Sequence, residues 1–380
     1  MVKKKMIEDF FELIEGSFTF YKNNKIFDKL SKQFYNQIKK IKPIKIDINK
    51  KDYNSGSLSE SHFVDDKSRK ALKNVKSCYV SEFTVLQSKI KLNLSGPNST
   101  NAQRKKSVNR IYKLLYFIIS HSKMNLKTLN ITLFFNNSDK KITKKYEILS
   151  PKHINTAVTY ACAKNGEIFL YRNEEWFKVL AHELMHSLCL DFSGLDIKNL
   201  KDNFLKLFKV NSSYEISESY AEFWATVINV LFLSYDITSS YKSFKENVAM
   251  MLDIEKIFSL YQVTKILKYM KIDSYENLID RSRLYEEKTN VFAYYIVKTM
   301  LMFNHVDFLN WCDRNNGLSI IQFRNTRLNL MEFARFIEQK YKNHNFLAMV
   351  SDINKIFGNI TIKKVALLKT MRMTACEWKE

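Results

Sequence analysis

A scarcity of chain-breaking residues constrains the fold of this sequence more than any other feature. The 380 residues contain only three prolines and seven glycines. Proline interrupts a helix because it lacks a backbone N–H. Glycine destabilises a helix because its backbone loses more conformational entropy on folding than that of any other residue. A hydrophobic content of 46% is ample for a large core. The sequence therefore predicts an α+β fold that is mainly helical, with one small mixed sheet.

Alternating apolar and polar residues mark the strands of that sheet. The segment KIKLNLS, residues 89–95, places Ile90, Leu92 and Leu94 on one face, as in a half-buried strand. Residues 102–122 follow with apolar positions at helical spacing. Three further β-rich segments come next, namely LNITLFFNN, INTAVTYA and EIFLYR. We predict a strand for each of them.

These patterns divide the chain into three regions. Residues 1–76 form a Lys-rich, mostly helical N-terminal region, and residues 77–235 hold the predicted sheet with its helices. Residues 236–380 show helical patterns almost throughout, and we predict a helical C-terminal region. The middle region therefore contains all the predicted strands.

A formal net charge of +22 raises the question of a polyanionic partner. Such a field speeds encounter with nucleic acid or any other polyanion. However, the lysines are scattered along the chain, and no established nucleic-acid-binding motif is present. We keep nucleic acid or another polyanion only as a less favoured, alternative partner.

The cysteines and the apolar segments bear on the environment of the chain. Five cysteines, odd in number and without a C-x-x-C pair, favour neither a disulfide framework nor a cysteine zinc cage. Cys189 is predicted to serve in packing. The most apolar run, residues 221–235, is shorter than the roughly 20 residues of a membrane span. We expect a cytoplasmic or otherwise reducing compartment and no transmembrane segment.

The segment WFKVLAHELMHSLCLDFSG, residues 176–194, carries the strongest chemical signal. It lies in a predicted helix that starts after an N-cap at Asn173, has Glu174 and Glu175 in its first turn, and runs to about Leu190. The DFSG that follows marks its end, because Gly194 can take the left-handed conformation that stops a helix.

Two histidines four residues apart lie on the same face of such a helix. His182 and His186 can therefore direct both imidazoles at one metal ion. Glu183 lies one step around the helix, where it can act as a general base on a water molecule rather than as a ligand.

Two imidazoles alone make a weak zinc site, so a third ligand must come from elsewhere. The later segment YEISESYAEFWA holds Glu215, Glu218 and Glu222 on a predicted helix. Glu218 and Glu222 are four apart and share a face, whereas Glu215 is an alternative ligand three residues earlier. We favour Glu218 because Glu222 is then left one turn away to support the site.

The pair of motifs H-E-L-M-H and E-S-Y-A-E resembles the gluzincin group of zinc metallopeptidases, which includes thermolysin and anthrax lethal factor. The resemblance implies Zn²⁺ bound by His182, His186 and Glu218, with Glu183 as the catalytic base. It also implies that Glu222 orients one of the histidines. The activity implied is hydrolysis of peptide bonds by a zinc-activated water.

The same resemblance covers residues 77–235 and implies a zincin-like catalytic domain. In that group a strand, a helix, two further strands with an edge strand between them, and the active-site helix follow in that order. Residues 154–161 would then form the edge strand along which a polypeptide substrate binds. The segment EEWFKVLAHELMHSLCLDFSG also resembles zinc peptidases of large DNA viruses, which would place the protein in the host cytoplasm or virion.

Gluzincins use a tyrosine or histidine to hydrogen-bond the oxyanion of the reaction. Tyr214 and Tyr220 are the candidates here because they lie next to or within the carboxylate helix. The segment between His186 and Glu218 lacks the thermolysin motif NExxSD and the metzincin motif HxxGxxH, so it indicates no substrate class. The alternative function is a decayed metallopeptidase that binds a polyanionic partner through its basic surface.

Overall fold

The fold is α+β and mainly helical, as predicted. The computed structural model describes residues 8–12, 24–53, 64–96, 100–144, 147–238, 240–280, 284–317, 319–358 and 365–378. A π-helix spans Phe292–Val297. The α-helices are α1 Lys25–Lys40, α2 Asp66–Lys73, α3 Asn101–Ile119, α4 Pro151–Ile154, α5 Trp176–Ser187, α6 Lys198–Leu207, α7 Ser217–Asp236, α8 Tyr241–Tyr269, α9 Tyr275–Asp280, α10 Lys298–Phe303, α11 His305–Asn315, α12 Arg327–Lys340, α13 His344–Gly358 and α14 Val365–Lys369.

The described strands form one open mixed sheet of six strands in the order β1-β2-β3-β4-β6-β5. Strands β3, β4 and β6 are parallel, and the remaining pairs are antiparallel. The short strand β5 therefore lies at one edge of the sheet. The strands are β1 Asn49–Asp52, β2 Ser77–Val85, β3 Ser88–Ser95, β4 Thr128–Phe134, β5 Ala157–Thr159 and β6 Asn165–Leu170.

Each strand predicted from the sequence is present, and the sheet also contains two that were not specified. Residues 89–95 lie in β3, and the three later β-rich segments overlap β4, β5 and β6. Strands β1 and β2 precede them. Strand β1 has the sequence NKKD and is exposed along its whole length. It carries no apolar alternation by which the sequence pattern could have revealed it.

Helix α3 makes the crossover between the parallel strands β3 and β4. Its N terminus is fixed by a capping box in which Thr100 and Gln103 each bond the backbone N–H of the other. Its inward face buries Val108, Ile111 and Leu115. The observed helix matches the prediction for residues 102–122 to within a few residues.

The start of α5 differs from the prediction. Asn173 is not the N-cap, because the helix begins only at Trp176 and Glu175 takes a left-handed conformation with φ 59°. Glu174 and Glu175 are buried outside the helix rather than exposed in its first turn. Glu175 instead accepts a hydrogen bond from Lys140 Nζ at 2.8 Å. A tertiary ion pair has therefore replaced the expected interaction with the helix dipole.

The end of α5 is also earlier than predicted and does not depend on Gly194. Cys189 takes the left-handed conformation instead, with φ 53°. The N–H of Leu190 donates to the carbonyl of Met185 at 2.9 Å, and the N–H of Cys189 to that of His186 at 3.1 Å. This pair of bonds is a Schellman motif, which reverses the chain after the helix.

The last described segment, residues 370–378, is mostly buried although it forms no helix. Its backbone N–H groups donate to carboxylates on other elements. Glu255 of α8 accepts from Ala375 at 3.0 Å and from Cys376 at 2.8 Å. Glu175 accepts two further N–H groups of the same segment, both at 2.7 Å. The chain end is thus joined to the start of α5 by buried hydrogen bonds.

One large cluster of buried apolar side chains includes residues from all three predicted regions, from Phe10 to Trp378. Among the described residues, no helix combines the length and apolar character needed to cross a membrane.

The expectation that Cys189 serves only in packing is wrong, because it forms a disulfide with Cys162. Cys78, Cys312 and Cys376 are free.

The disulfide predicts a measurable loss of stability on reduction. It closes a loop with a sequence separation of 27 residues, and a cross-link of this length raises the free energy of unfolding by about 2–4 kcal/mol. We expect C162S/C189S to lose about this amount in urea denaturation. Wild-type protein in excess dithiothreitol should match the double variant. Equal stability of reduced and oxidised wild type would contradict the prediction.

Candidate metal centre

Helices α5 and α7 bring His182, His186 and Glu218 to one point. Nε2 of each histidine lies 3.1 Å from Oε2 of Glu218, and the two Nε2 atoms lie 3.1 Å apart. The helical spacing of the histidines places both rings on one face of α5. Glu218 faces them from the first turn of α7. These three side chains can hold a metal ion.

The structure distinguishes between the two carboxylates considered for the third position. Glu215 is half-buried at the cleft and pairs with Lys201 of α6, not with the histidines. Glu218 instead reaches both histidines, and its second oxygen accepts a hydrogen bond from Asn290 Nδ2 at 3.2 Å. Ser213 Oγ in turn donates to Asn290 Oδ1 at 3.0 Å. This chain of bonds fixes the orientation of the Glu218 carboxylate.

Each imidazole meets a second carboxylate at its other ring nitrogen. Nδ1 of His182 lies 2.9 Å from Oε2 of Glu222, and Nδ1 of His186 lies 2.7 Å from Oδ2 of Asp191. Glu222 also pairs with Lys178, one turn before His182 on α5. Each Nδ1 atom thus lies within contact distance of a carboxylate, and both Nε2 atoms face the shared point. Metal-ligating imidazoles commonly have a carboxylate beside the ring nitrogen that does not bind the metal.

The charges of the site perturb one another strongly. Burial disfavours protonated imidazoles, but the carboxylates of Glu218, Glu222 and Asp191 outweigh it and raise the pKa of both histidines. Burial would raise the pKa of Glu218, but the two histidines hold that pKa well below its usual range. A metal ion binds neutral imidazoles, so protonation of these histidines would compete with metal binding.

Glu183 faces the same cavity as the two histidines without joining the three-residue group. It lines the cleft together with His182 and His186, and only 8% of its surface is exposed. Burial raises the pKa of Glu183, while the neighbouring histidines act in the opposite direction. A carboxylate whose pKa is raised toward neutrality is suited to accept and return a proton.

The cleft that opens over these side chains has a volume of about 410 Å³. Edge strand β5 lines one wall through Ala157, Val158 and Thr159. Residues 288–290 and Tyr294 also line it. The cleft is therefore lined both by a sheet edge and by the segment leading into the π-helix.

The two tyrosines proposed from the sequence have their hydroxyl groups elsewhere. Tyr214 OH donates to the backbone carbonyl of Phe208, and Tyr220 OH donates to that of Ile321 at 2.9 Å. Neither lines the cleft. Sequence proximity to Glu218 was misleading because one tyrosine precedes α7 and the other points away from the ligand face of that helix.

A different tyrosine, Tyr294, lines the cleft. Its ring centroid lies 5.9 Å from that of His182, and it lines the cleft beside Glu183. It belongs to the π-helix Phe292–Val297, a geometry that is found frequently at functional sites. Burial raises the pKa of Tyr294 well above its ordinary value, so its hydroxyl remains protonated.

Sequence reasoning missed Asp191, Asn290 and Tyr294. Asp191 lies five residues after His186. In a continuing helix that spacing would not place the two side chains on the same face, so it indicated no contact. Asn290 and Tyr294 lie more than seventy residues after Glu218, in a chain with 20 tyrosines. Only the folding of that segment over the site reveals them.

Comparison with known proteins adds no assignment. No protein-family model matches this chain, and no curated protein or solved structure matches it. The chemistry of the centre must therefore be argued from its own side chains.

Glu287 organises the wall that carries Tyr294. Its carboxylate accepts hydrogen bonds from Ser212 Oγ at 2.6 Å and Tyr285 OH at 2.8 Å. The N–H of Phe292, at the start of the π-helix, donates to it at 2.6 Å. Burial raises the pKa of Glu287 to about 7, although these hydrogen bonds oppose the shift.

The raised pKa predicts a pH dependence of stability. Glu287 favours folding most when protonated, so its contribution is complete below pH 4.5 and is lost as the pH rises through about 7. A shift of this size corresponds to about 3 kcal/mol. We expect the free energy of unfolding of wild type, relative to E287Q, to fall by about 3 kcal/mol between pH 4.5 and 8. A difference that does not change between pH 4.5 and 8 would contradict the prediction.

Proposed function

We propose that this protein is a zinc-dependent metallopeptidase of the gluzincin type. The observation that carries the proposal is the convergence of Nε2 of His182, Nε2 of His186 and Oε2 of Glu218 at mutual distances of 3.1 Å. Glu183 faces the same cleft. Two imidazoles and one carboxylate form a ligand set known from catalytic zinc sites.

The donor geometry fits zinc. Zinc binds imidazole nitrogen and carboxylate oxygen tetrahedrally at about 2.0–2.2 Å, which places two ligand atoms about 3.3 Å apart. The observed spacings of 3.1 Å are close to this value. Both Nδ1 atoms meet carboxylates, as zinc-binding histidines commonly do. His182, His186 and Glu218 would therefore hold the ion.

Glu183 is the general base in this proposal. Zinc supplies Lewis acidity, which lowers the pKa of a coordinated water to about 7 and polarises the carbonyl of the scissile amide. Glu183 accepts a proton from the attacking water as the water oxygen bonds to the carbonyl carbon. When the C–N bond breaks, Glu183 returns that proton to the amine nitrogen. The carboxylate is thus regenerated at the end of each turnover.

Tyr294 is the hydrogen-bond donor for the developing oxyanion. Tyr294 lines the cleft together with Glu183 and His182, and burial keeps its hydroxyl protonated by raising its pKa well above the ordinary value. A donor held in place before the reaction stabilises the negative charge that forms on the carbonyl oxygen. Tyr294 thereby takes the role first assigned to Tyr214 or Tyr220.

An extended polypeptide is the substrate that suits this cleft. Strand β5 pairs with β6 on one side only, and its residues line the cleft. A peptide can add to such an edge through backbone hydrogen bonds. Its scissile bond would then lie over the histidines of α5. The alternative, an interaction protein for polyanions, is supported by the net charge of +22 alone.

The first test is the variant E183Q. We expect cleavage of a mixed peptide library to fall by about 10²–10⁴-fold, because the proton acceptor is lost. Zinc content, measured by native mass spectrometry, should stay at one ion per chain. H186A should lose the ion, whereas H344A at an exposed position should retain both zinc and activity. Wild type without stoichiometric zinc, or E183Q with full activity, would refute the proposal.

A second test concerns the oxyanion donor. We expect Y294F to lower kcat by about 10²-fold with little change in KM, because the hydroxyl acts mainly in the transition state. Y214F is the matched control, since its hydroxyl bonds the carbonyl of Phe208 outside the cleft. Steady-state kinetics on one cleaved peptide provides both parameters. Equal losses of kcat in the two variants would remove Tyr294 from this role.

A further inference from the structure

We infer that Asp191 is a positioning residue of the metal centre, which sets the tautomer and donor strength of His186. The inference rests on the proposed zinc site but does not depend on peptidase activity. Its basis is the contact between Oδ2 of Asp191 and Nδ1 of His186, at 2.7 Å. Asp191 acts through His186 and does not belong to the ligand set.

The Asp191 carboxylate is fully enclosed. Its side chain has no exposed surface, and its chain neighbours Leu190 and Phe192 are fully buried. Its other oxygen, Oδ1, accepts a hydrogen bond from Ser193 Oγ at 2.9 Å. Burial of a carboxylate in such surroundings is costly unless its charge is compensated.

The end of helix α5 places Asp191 on His186. The Schellman motif reverses the chain at Cys189, so that the second residue beyond it returns to the last turn of the helix. The disulfide from Cys189 to Cys162 holds this reversal on one side. On the other side, the N–H of Phe323 donates to the carbonyl of Leu190 at 2.7 Å. The backbone of this turn therefore places Asp191 beside His186.

The two carboxylates that support the histidines differ in how their charge is compensated. Glu222 has a cation of its own, since Lys178 pairs with its Oε1. Among the residues that the structure describes, no lysine or arginine forms an ion pair with Asp191. Its carboxylate contacts the His186 imidazole and the neutral hydroxyl of Ser193.

Because of this difference, Asp191 increases the basicity of Nε2 in His186 more than Glu222 does in His182. With Nδ1–H bonded to a full negative charge, the lone pair of Nε2 stays available to the metal and becomes more basic. The imidazole of His182 faces a carboxylate already partly neutralised by Lys178. Loss of the charge at Asp191 should therefore weaken zinc binding while leaving the three ligands in place.

The experiment is zinc affinity of the full-length protein, measured by competition with a chromophoric chelator. D191N keeps the size of the side chain and can still accept from Nδ1–H, but it removes the charge. We expect its zinc affinity to fall about 10–100-fold, with an unchanged circular dichroism spectrum. D196N, at an exposed aspartate later in the same connection, is the control and should bind zinc within twofold of wild type. D191N affinity within twofold of wild type would overturn the inference.

A measurement on wild type keeps the inference testable if D191N does not fold. In the zinc-loaded protein, ¹⁵N NMR of the histidine rings should show His186 protonated at Nδ1 and metal-bound at Nε2. Metal bound through Nδ1 would overturn the inference. If wild type binds no zinc, the proposed function fails as well. If wild type binds zinc and D191N binds it equally well, only the role of Asp191 fails.

Discussion

The structure depends on one constraint, the complete burial of a helix that carries charged residues. Every residue of α5 is buried, including Lys178, His182, Glu183 and His186. A buried charge is costly unless it is paired. Three separate parts of the chain therefore converge on this helix, since α7, the turn after α5 and the last described segment each contribute to its surroundings. The candidate metal centre lies where residues from these parts of the chain meet the charged residues of α5.

The pairing extends well beyond the proposed ligands. Glu222 links His182 to Lys178, and Lys178 Nζ lies 3.7 Å from the sulfur of Met373. Lys298, just after the π-helix of the cleft wall, donates to the carbonyl of Met373 at 3.1 Å. Removal of one partner from such a network leaves an unpaired buried charge, which is strongly destabilising. The geometry of the centre thus depends on residues near the C-terminal end of the sequence.

Much of the candidate ligand set was accessible to sequence reasoning because it is local to helices. His182 and His186 are one turn apart, as are Glu218 and Glu222, and helical geometry places each pair on one face. Boundaries and irregular segments were less accessible. The start of α5 was mispredicted because Glu175 pairs with Lys140 instead of lying in the first turn. The exposed strand β1 had no apolar pattern, and the disulfide joins two cysteines whose spacing indicated nothing.

The class of the fold and the residues that can bind a metal could be predicted from the sequence alone. Both follow from short periodicities, which survive in any tertiary arrangement that keeps the helices. The three-dimensional packing was needed to show that Asp191 turns back onto His186, that Asn290 holds Glu218, and that Tyr294 rather than Tyr214 lines the cleft. These contacts arise at a chain reversal, a loop and a π-helix. There the direction of a side chain follows from long-range packing, and no fixed spacing in the sequence encodes it.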